Sequence, residues 1–328
     1  MRITNNTVIS NMMKHLQNNM NSLDSLSQKL SSGKDFQLPS ESPIRAAHSL
    51  QFSSRIRASE QYLNNINQAR DWMLSTESSL RGAGEILQRA RELAIYGNTD
   101  TLSAADRNSI VQEVRELKEG YISIGNDKHG DRSLFGGQGT DVEPFSRDIP
   151  LDDYDHDDDW IDNGVNGMDD EPDNGSESVN GEEESPEEYV FQGDNGRINR
   201  EVGPGISMTI NVNGQEAFGD GIRVLGELGQ GLESGDSGRL DQVIAELDQI
   251  IDNNIQFQAH LGAKVNRLDL TEARLEEGKF NLQKLSSENQ DSDIAEVITN
   301  LKMQESVYRA ALAAGARIMQ PTLLDFLQ

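Results

Sequence analysis

The sequence contains no cysteine in 328 residues, so neither disulfides nor thiolate-held metals hold this chain together. Aromatic residues make up 5% and hydrophobic residues 35%, a thin supply for the thick core that a chain of this length could otherwise bury. Polar residues fill the gap, a balance that suits long, half-exposed helices and an extended shape. No run of 18 or more apolar residues occurs, so membrane insertion is not expected. The segment Met1 to Met20 lacks the basic start and apolar run of a cleavable signal peptide, and Asn5, Asn6, Asn11, Asn18 and Asn19 make it polar. Positive charge is scarce too. The formal net charge of −27 repels a phosphate backbone and removes nucleic acid from the list of partners.

Catalytic patterns are also missing. His15, His48, His129, His156 and His260 stand far apart, and there is neither an HExxH pair nor a Walker-type glycine loop. Gly136-Gly137-Gln138-Gly139 lacks a following lysine and a preceding strand, and it reads as a turn. No catalytic residue, cofactor or metal site is expected.

What is present is helical periodicity at both ends. Leu16, Leu23 and Leu30 recur every seven residues, with Met13, Met20 and Leu26 close to the complementary seam. Near the C-terminus Ile294, Leu301 and Tyr308 form one seam, while Ile298, Leu312, Met319 and Phe326 fall on the other, broken by Glu305. Neither end can bury its stripe alone. Residues 1–34 carry a net +3 and residues 286–328 a net −3, so the ends attract each other. At roughly 1.5–3 kcal/mol per buried Leu-sized side chain, about ten such positions outweigh the ordering cost only narrowly. Assembly with neighbouring copies is expected to complete the fold.

Two longer periodic segments lie inside these ends. Phe52, Ile66, Met73, Leu80, Leu87 and Ala94 keep a heptad interrupted at Ser59. Leu240, Leu247, Leu261, Leu268, Leu275 and Leu282 keep another, with Asn254 as its one polar member. Helices over 43–95 and 239–286 would each run roughly 70–80 Å and pack side by side. A third helix is predicted over 104–124, with Ser103 as cap and Asp106 as its near-reciprocal partner. Between Asp141 and Glu188 twenty acidic residues face one base, Arg147, so this segment carries most of the net charge and buries too little to offset chain entropy. Alternation then resumes at Tyr189–Phe191 and at Ile206, Met208, Ile210 and Val212, with turns at Asn195-Gly196, Gly203-Pro204-Gly205 and Asn213-Gly214.

The expected fold is mainly α with a small β module. It is a long antiparallel coiled-coil or helical bundle built from the N- and C-terminal halves, with β-hairpins and a disordered acidic insert in the middle. Its expected divisions are terminal assembly helices (1–34 and 288–328), a long bundle (42–140 and 230–287), the acidic insert (141–188) and a β-hairpin module (189–229).

Particular strings carry a family resemblance. Leu30-Ser31-Ser32-Gly33-Lys34, followed by Pro39-Ser40-Glu41-Ser42-Pro43 and Ala46-Ala47, resembles the N-terminal signature of the flagellin superfamily. In its proline-flanked form it resembles the hook-associated protein 3 branch, the hook-filament junction. Gln88-Arg89-Ala90-Arg91-Glu92-Leu93-Ala94 is similar to the long helix of both branches. Ser133-Leu134-Phe135-Gly136-Gly137 with Pro144-Phe145, then Phe191-Gln192-Gly193-Asp194-Asn195-Gly196, resembles the junction branch's turn and β module. Ala316-Arg317-Ile318-Met319-Gln320 with Leu323-Leu324-Asp325-Phe326-Leu327 resembles that branch's C-terminus.

The resemblance implies a structural, extracellular subunit of the bacterial flagellum. It would be exported unfolded through the flagellar type III apparatus and guarded beforehand by a cytosolic export chaperone. It would also imply a ring of copies touching the first hook-associated protein on one side and flagellin on the other. Together with the apolar stripes, it points to Leu16, Met20, Leu23, Leu30, Ile294, Ile298, Leu301, Leu312, Met319, Leu323 and Leu327 as contact residues. Gly315 among Ala310, Ala311, Ala313, Ala314 and Ala316 either permits close helix approach or reflects helix propensity alone. Flagellin itself, and a secreted coiled-coil adhesin or effector, are the alternatives.

The acidic insert departs from the family pattern. Asp153, Asp155, Asp157 and Asp159 alternate as chelators do, but neither frame has the glycine and terminal glutamate of an EF-hand loop. A solvated, salt-tolerant surface decoration is the expectation.

Overall fold

The computed structural model describes residues 5–99, 102–147 and 189–318. The chain divides into two compact units, Met1–Leu63 with Glu272–Gln328, and Asn64–Thr271. Two long helices, α2 (Pro43–Gly97) and α5 (Ser237–Gln290), contribute to both. Their heptads account for this: no proline or helix-terminating turn interrupts either repeat.

In the second unit α2 and α5 run antiparallel. Arg70 pairs with Asp269, Gln258 reaches the Leu80 carbonyl, Arg91 pairs with Asp248, and Asn98 donates to Asp241. The predicted seam is buried here through Ile66, Met73, Leu80, Leu87 and Ala94 facing Leu240, Leu247, Leu261 and Leu268. Asn254 is also buried in that seam. Its Oδ1 accepts from Gln258 Nε2, while Gly84 lies opposite.

Helix α3 (Ala104–Gly125) starts as its sequence predicts, with Asp106 N donating to Ser103 Oγ and Ser103 Oγ donating back to the Asp106 carboxylate. It packs on α4 (Asp220–Ser234), a helix not anticipated from the sequence. The β module expected over 189–229 ends early because Phe218, Ile222, Leu225 and Leu232 are spaced for a helix and are all buried. Asn213-Gly214 opens this helical stretch instead of turning a hairpin. Asn213 accepts from Gln215 N with its side chain and from Ala217 N with its carbonyl, leading into a π-helical turn over Gln215–Gly219.

Among the described residues the strands form three separate antiparallel pairs: β1 (Lys128–His129) with β2 (Arg132–Ser133), β3 (Phe145–Arg147) with β4 (Tyr189–Phe191), and β5 (Asn199–Gly203) with β6 (Ile206–Thr209). The last pair turns at Gly203-Pro204-Gly205, where Gly205 takes φ +68°. Tyr121, Phe135, Phe145, Phe191 and Phe218 gather into one aromatic cluster, with Tyr121–Phe218 centroids 5.1 Å apart. It lies where α3, the β3–β4 pair and the π-helical turn before α4 meet. Arg147 pairs with Tyr189 across β3–β4, so the two residues that flank positions 148–188 stand side by side. The acidic insert expected over 141–188 starts late, because Phe145–Arg147 form β3 with Phe145 buried; the expectation of disorder for residues 148–188 falls outside the described residues.

The first unit contains α1 (Asn5–Ser32), the first part of α2, the last part of α5, and α6 (Ile294–Ile318). Lys279 pairs with Glu60 across the α2 and α5 parts, and the heptad residues Phe52, Leu275 and Leu282 are only half-buried.

Candidate assembly surface

Helix α1 ends at Gly33, whose φ of +70° and N–H bond to the Lys29 carbonyl make it a left-handed terminator. Helix α6 begins at Asp293, whose carboxylate accepts from Ala295 N and Glu296 N. The two helices pack as an antiparallel hairpin: Lys34 bridges Asp291, Asn19 meets Gln304, and Met12 meets Gly315.

Burial shows how the hairpin is built. On α1 the inward residues are Ile9, Met12, Leu16, Asn19, Leu23, Leu26 and Leu30, at alternating spacings of three and four. On α6 they are Val297, Leu301, Gln304, Tyr308, Ala311 and Gly315. The heptad residues Leu16, Leu23, Leu30, Leu301 and Tyr308 therefore sit where the repeat predicts.

The complementary seam differs from expectation on both helices. It is Met12, Asn19 and Leu26, not Met13 and Met20, and it is Val297, Gln304 and Ala311, not Ile298, Glu305 and Leu312. Two polar residues concealed it. Asn19 and Gln304 satisfy each other through a 3.2 Å hydrogen bond inside the seam, so their polarity does not keep them out.

The displaced residues have a distinct place. Ser22, Ser25 and Lys29 of α1 line a shallow groove of about 510 Å³ together with Asn300 and Met303 of α6, which makes that flank largely polar. The opposite flank follows the seam by one residue on each helix. It presents Met13, Met20, Ile298 and Leu312, which are 61%, 57%, 38% and 46% exposed. Ile294 is exposed where α6 begins.

The hairpin thus consumes Leu16, Leu23, Leu30 and Leu301 internally and leaves Met20, Ile298 and Leu312 uncovered on one side. Met13, which belongs with them, follows from the register once the true seam is known. Met319, Leu323 and Leu327 lie outside the described residues.

A second polar arrangement clarifies the glycine-rich turn. Gly137 takes φ +74°, and the Asp194 carboxylate accepts hydrogen bonds from Gln138 N (2.6 Å), Gly196 N (2.7 Å) and Gly139 N (3.2 Å). These bonds, led by that from Gln138, hold the Asp194 pKa below the usual carboxylate value. The turn's amides are occupied by the protein's own anion, a structural use of a motif that elsewhere cradles phosphate. Among the described residues, no group of three or more His, Asp or Glu side chains is arranged to hold a metal ion. No helix among them is long and apolar enough to cross a membrane.

With this geometry in view, the bacterial flagellin N-terminal helical region matches residues 3–140, and the bacterial flagellin C-terminal helical region matches residues 244–327. The chain belongs to the flagellin superfamily. Flagellar hook-associated protein 3 of Escherichia coli (strain K12) is 26% identical over 149 residues, covering 45% of this chain and 47% of that protein. Flagellin of Clostridium tyrobutyricum is 28% identical over 126 residues, covering 38% of this chain and 33% of its own. The chain therefore spans about half the length of the first of these curated relatives and a third of the second. A solved structure described as a flagellar hook-associated protein from Vibrio parahaemolyticus superposes with a TM-score of 0.60 at 20% identity. That superposition covers 76% of this chain and all of the other, so the fold is shared.

Proposed function

We propose that this chain is a structural subunit of the bacterial flagellum that joins hook to filament, polymerising through its terminal helices. The observation that carries this reading is the uncovered apolar flank of the α1–α6 hairpin, Met13, Met20, Ile298 and Leu312. A helix pair that buries one seam and exposes a second apolar stripe has a surface suited to another helix. The junction-type wording of residues 30–47 and the hook-associated relatives support the choice of joint. Its partners are then its own copies in a ring, the first hook-associated protein on one side and flagellin on the other, with a cytosolic export chaperone before assembly. Its location is the extracellular flagellum, and its role is structural with no catalysis.

The test is incorporation of purified protein onto isolated hook tips. Met20→Asp combined with Ile298→Asp should abolish incorporation while the helical content of the monomer, read by circular dichroism, stays near the wild-type level, because Leu16, Leu23, Leu30 and Leu301 still form the seam. Incorporation at the wild-type level would overturn the reading. Flagellin remains the second reading, on the strength of the Clostridium match; in that case purified protein would grow long filaments unaided.

A further inference from the structure

The two passages leading into the terminal hairpin meet at one polar node in the first unit. On the backbone, Asp35 N donates to the Gln290 carbonyl (2.8 Å) and Ser292 N to the Gly33 carbonyl (2.9 Å). Among side chains, the Asp35 carboxylate takes Lys29 of α1 at 2.8 Å and Arg45 of α2 at 2.5 Å. Arg45 reaches further: its Nε (3.0 Å) and second terminal nitrogen (2.6 Å) both donate to the Asn289 carbonyl in the last turn of α5. Asn289 Nδ2 donates back to the Arg45 carbonyl at 2.9 Å, and Ser49 Oγ donates to Gln290 Oε1. Beneath this network the guanidinium lies 5.1 Å from the ring centre of Phe36, which is buried.

Two features of this geometry are particular to arginine. The Asn289 carbonyl belongs to the last turn of a helix, where carbonyls have no intrahelical donor and the helix dipole favours a cation. A planar fork of fixed donors can serve that carbonyl and the Asp35 carboxylate simultaneously, whereas a lysine ammonium is a single point charge. The two acceptors lie on opposite halves of the sequence, so neither half alone can complete the node.

We infer that Arg45 is a positioning residue for the terminal hairpin, fixing α1 and α6 against the α2 and α5 ends of their unit. Its importance for assembly rests on the function proposed above, because that reading makes the hairpin the joining element. The coupling itself is a property of the isolated monomer.

Hydrogen exchange on the full chain tests it. Arg45→Ala should lower amide protection in residues 9–30 and 297–315 by about tenfold or more, with residues 64–271 unchanged. Arg45→Lys keeps the charge but not the fork and should fall within about threefold of Arg45→Ala. Unchanged protection of the hairpin in Arg45→Ala, or an equal loss in both units, would overturn the inference. Full recovery in Arg45→Lys would overturn the part assigned to the fork. A loosened hairpin that still joins hook tips normally would support the positioning role while counting against the joint function, so the two failures are separable.

Discussion

Gly315 of α6 is the seat of the Met12 side chain of α1: a Cβ at position 315 would overlap the Met12 terminal methyl. In a stretch rich in alanine this glycine is read more easily as an accident of composition, since glycine weakens a helix by about 1 kcal/mol relative to alanine. The contact gives it a steric purpose. The space left by the missing Cβ is filled by Met12, which continues the seam of Leu16, Leu23 and Leu301.

Gly315→Leu should therefore loosen the hairpin at the Met12 end although it favours the helix. Overpacking of this kind costs about 1–3 kcal/mol, enough to outweigh the gain in propensity. Near-wild-type circular dichroism with increased proteolysis of the segments flanking α1 and α6 is the expected result. Unchanged cleavage would show that the hairpin tolerates the bulk.

Asp194 makes part of the second unit's stability depend on pH. Its folded pKa is depressed, chiefly by the bond from Gln138 N. Its contribution is therefore fully present above the ordinary carboxylate pKa of about 3.9 and is lost as pH falls through the lower folded value. Asp194→Asn should lower the thermal midpoint at neutral pH and flatten its decline in acid. A parallel downward shift at every pH would assign the effect to shape and not to charge.

Asn254 places a polar side chain where the α5 heptad otherwise has leucine, and its Nδ2 is buried without a hydrogen-bond partner among the described residues. Asn254→Leu should raise the unfolding free energy by about 1 kcal/mol in a denaturant titration, because the buried amide is desolvated without full compensation. A fall in stability would mean that the bond between Gln258 and Asn254 matters more than the unsatisfied donor.

Much of this architecture is legible from spacing. The heptads through Leu80 and Leu247, the cap at Ser103, the turn at Gly205 and the pairing of the two chain ends all follow from local pattern, because each concerns residues within two turns or one periodic stripe. Helix α4 was concealed by its glycines and by the alternating residues just before it. Its buried spacing from Phe218 to Leu232 was the signal that could have revealed it.

The contact surface was legible only by halves. Leu16, Leu23 and Leu301 have the right period for a seam, yet period alone does not say whether a second stripe is covered by the partner helix or left outside. Asn19 and Gln304 tipped that reading the wrong way, since each is polar by itself and acceptable only opposite the other.

The sequence by itself determined that this chain would be a cysteine-free, acidic, helix-dominated protein whose two extremities pair, because composition and periodicity act within single segments. Only the tertiary structure decided which apolar residues the terminal hairpin keeps for itself and which it leaves exposed. It also decided that Arg45 would tie together segments 244 residues apart. Register and long-range hydrogen bonds depend on what stands across the interface, and no single helix contains that information.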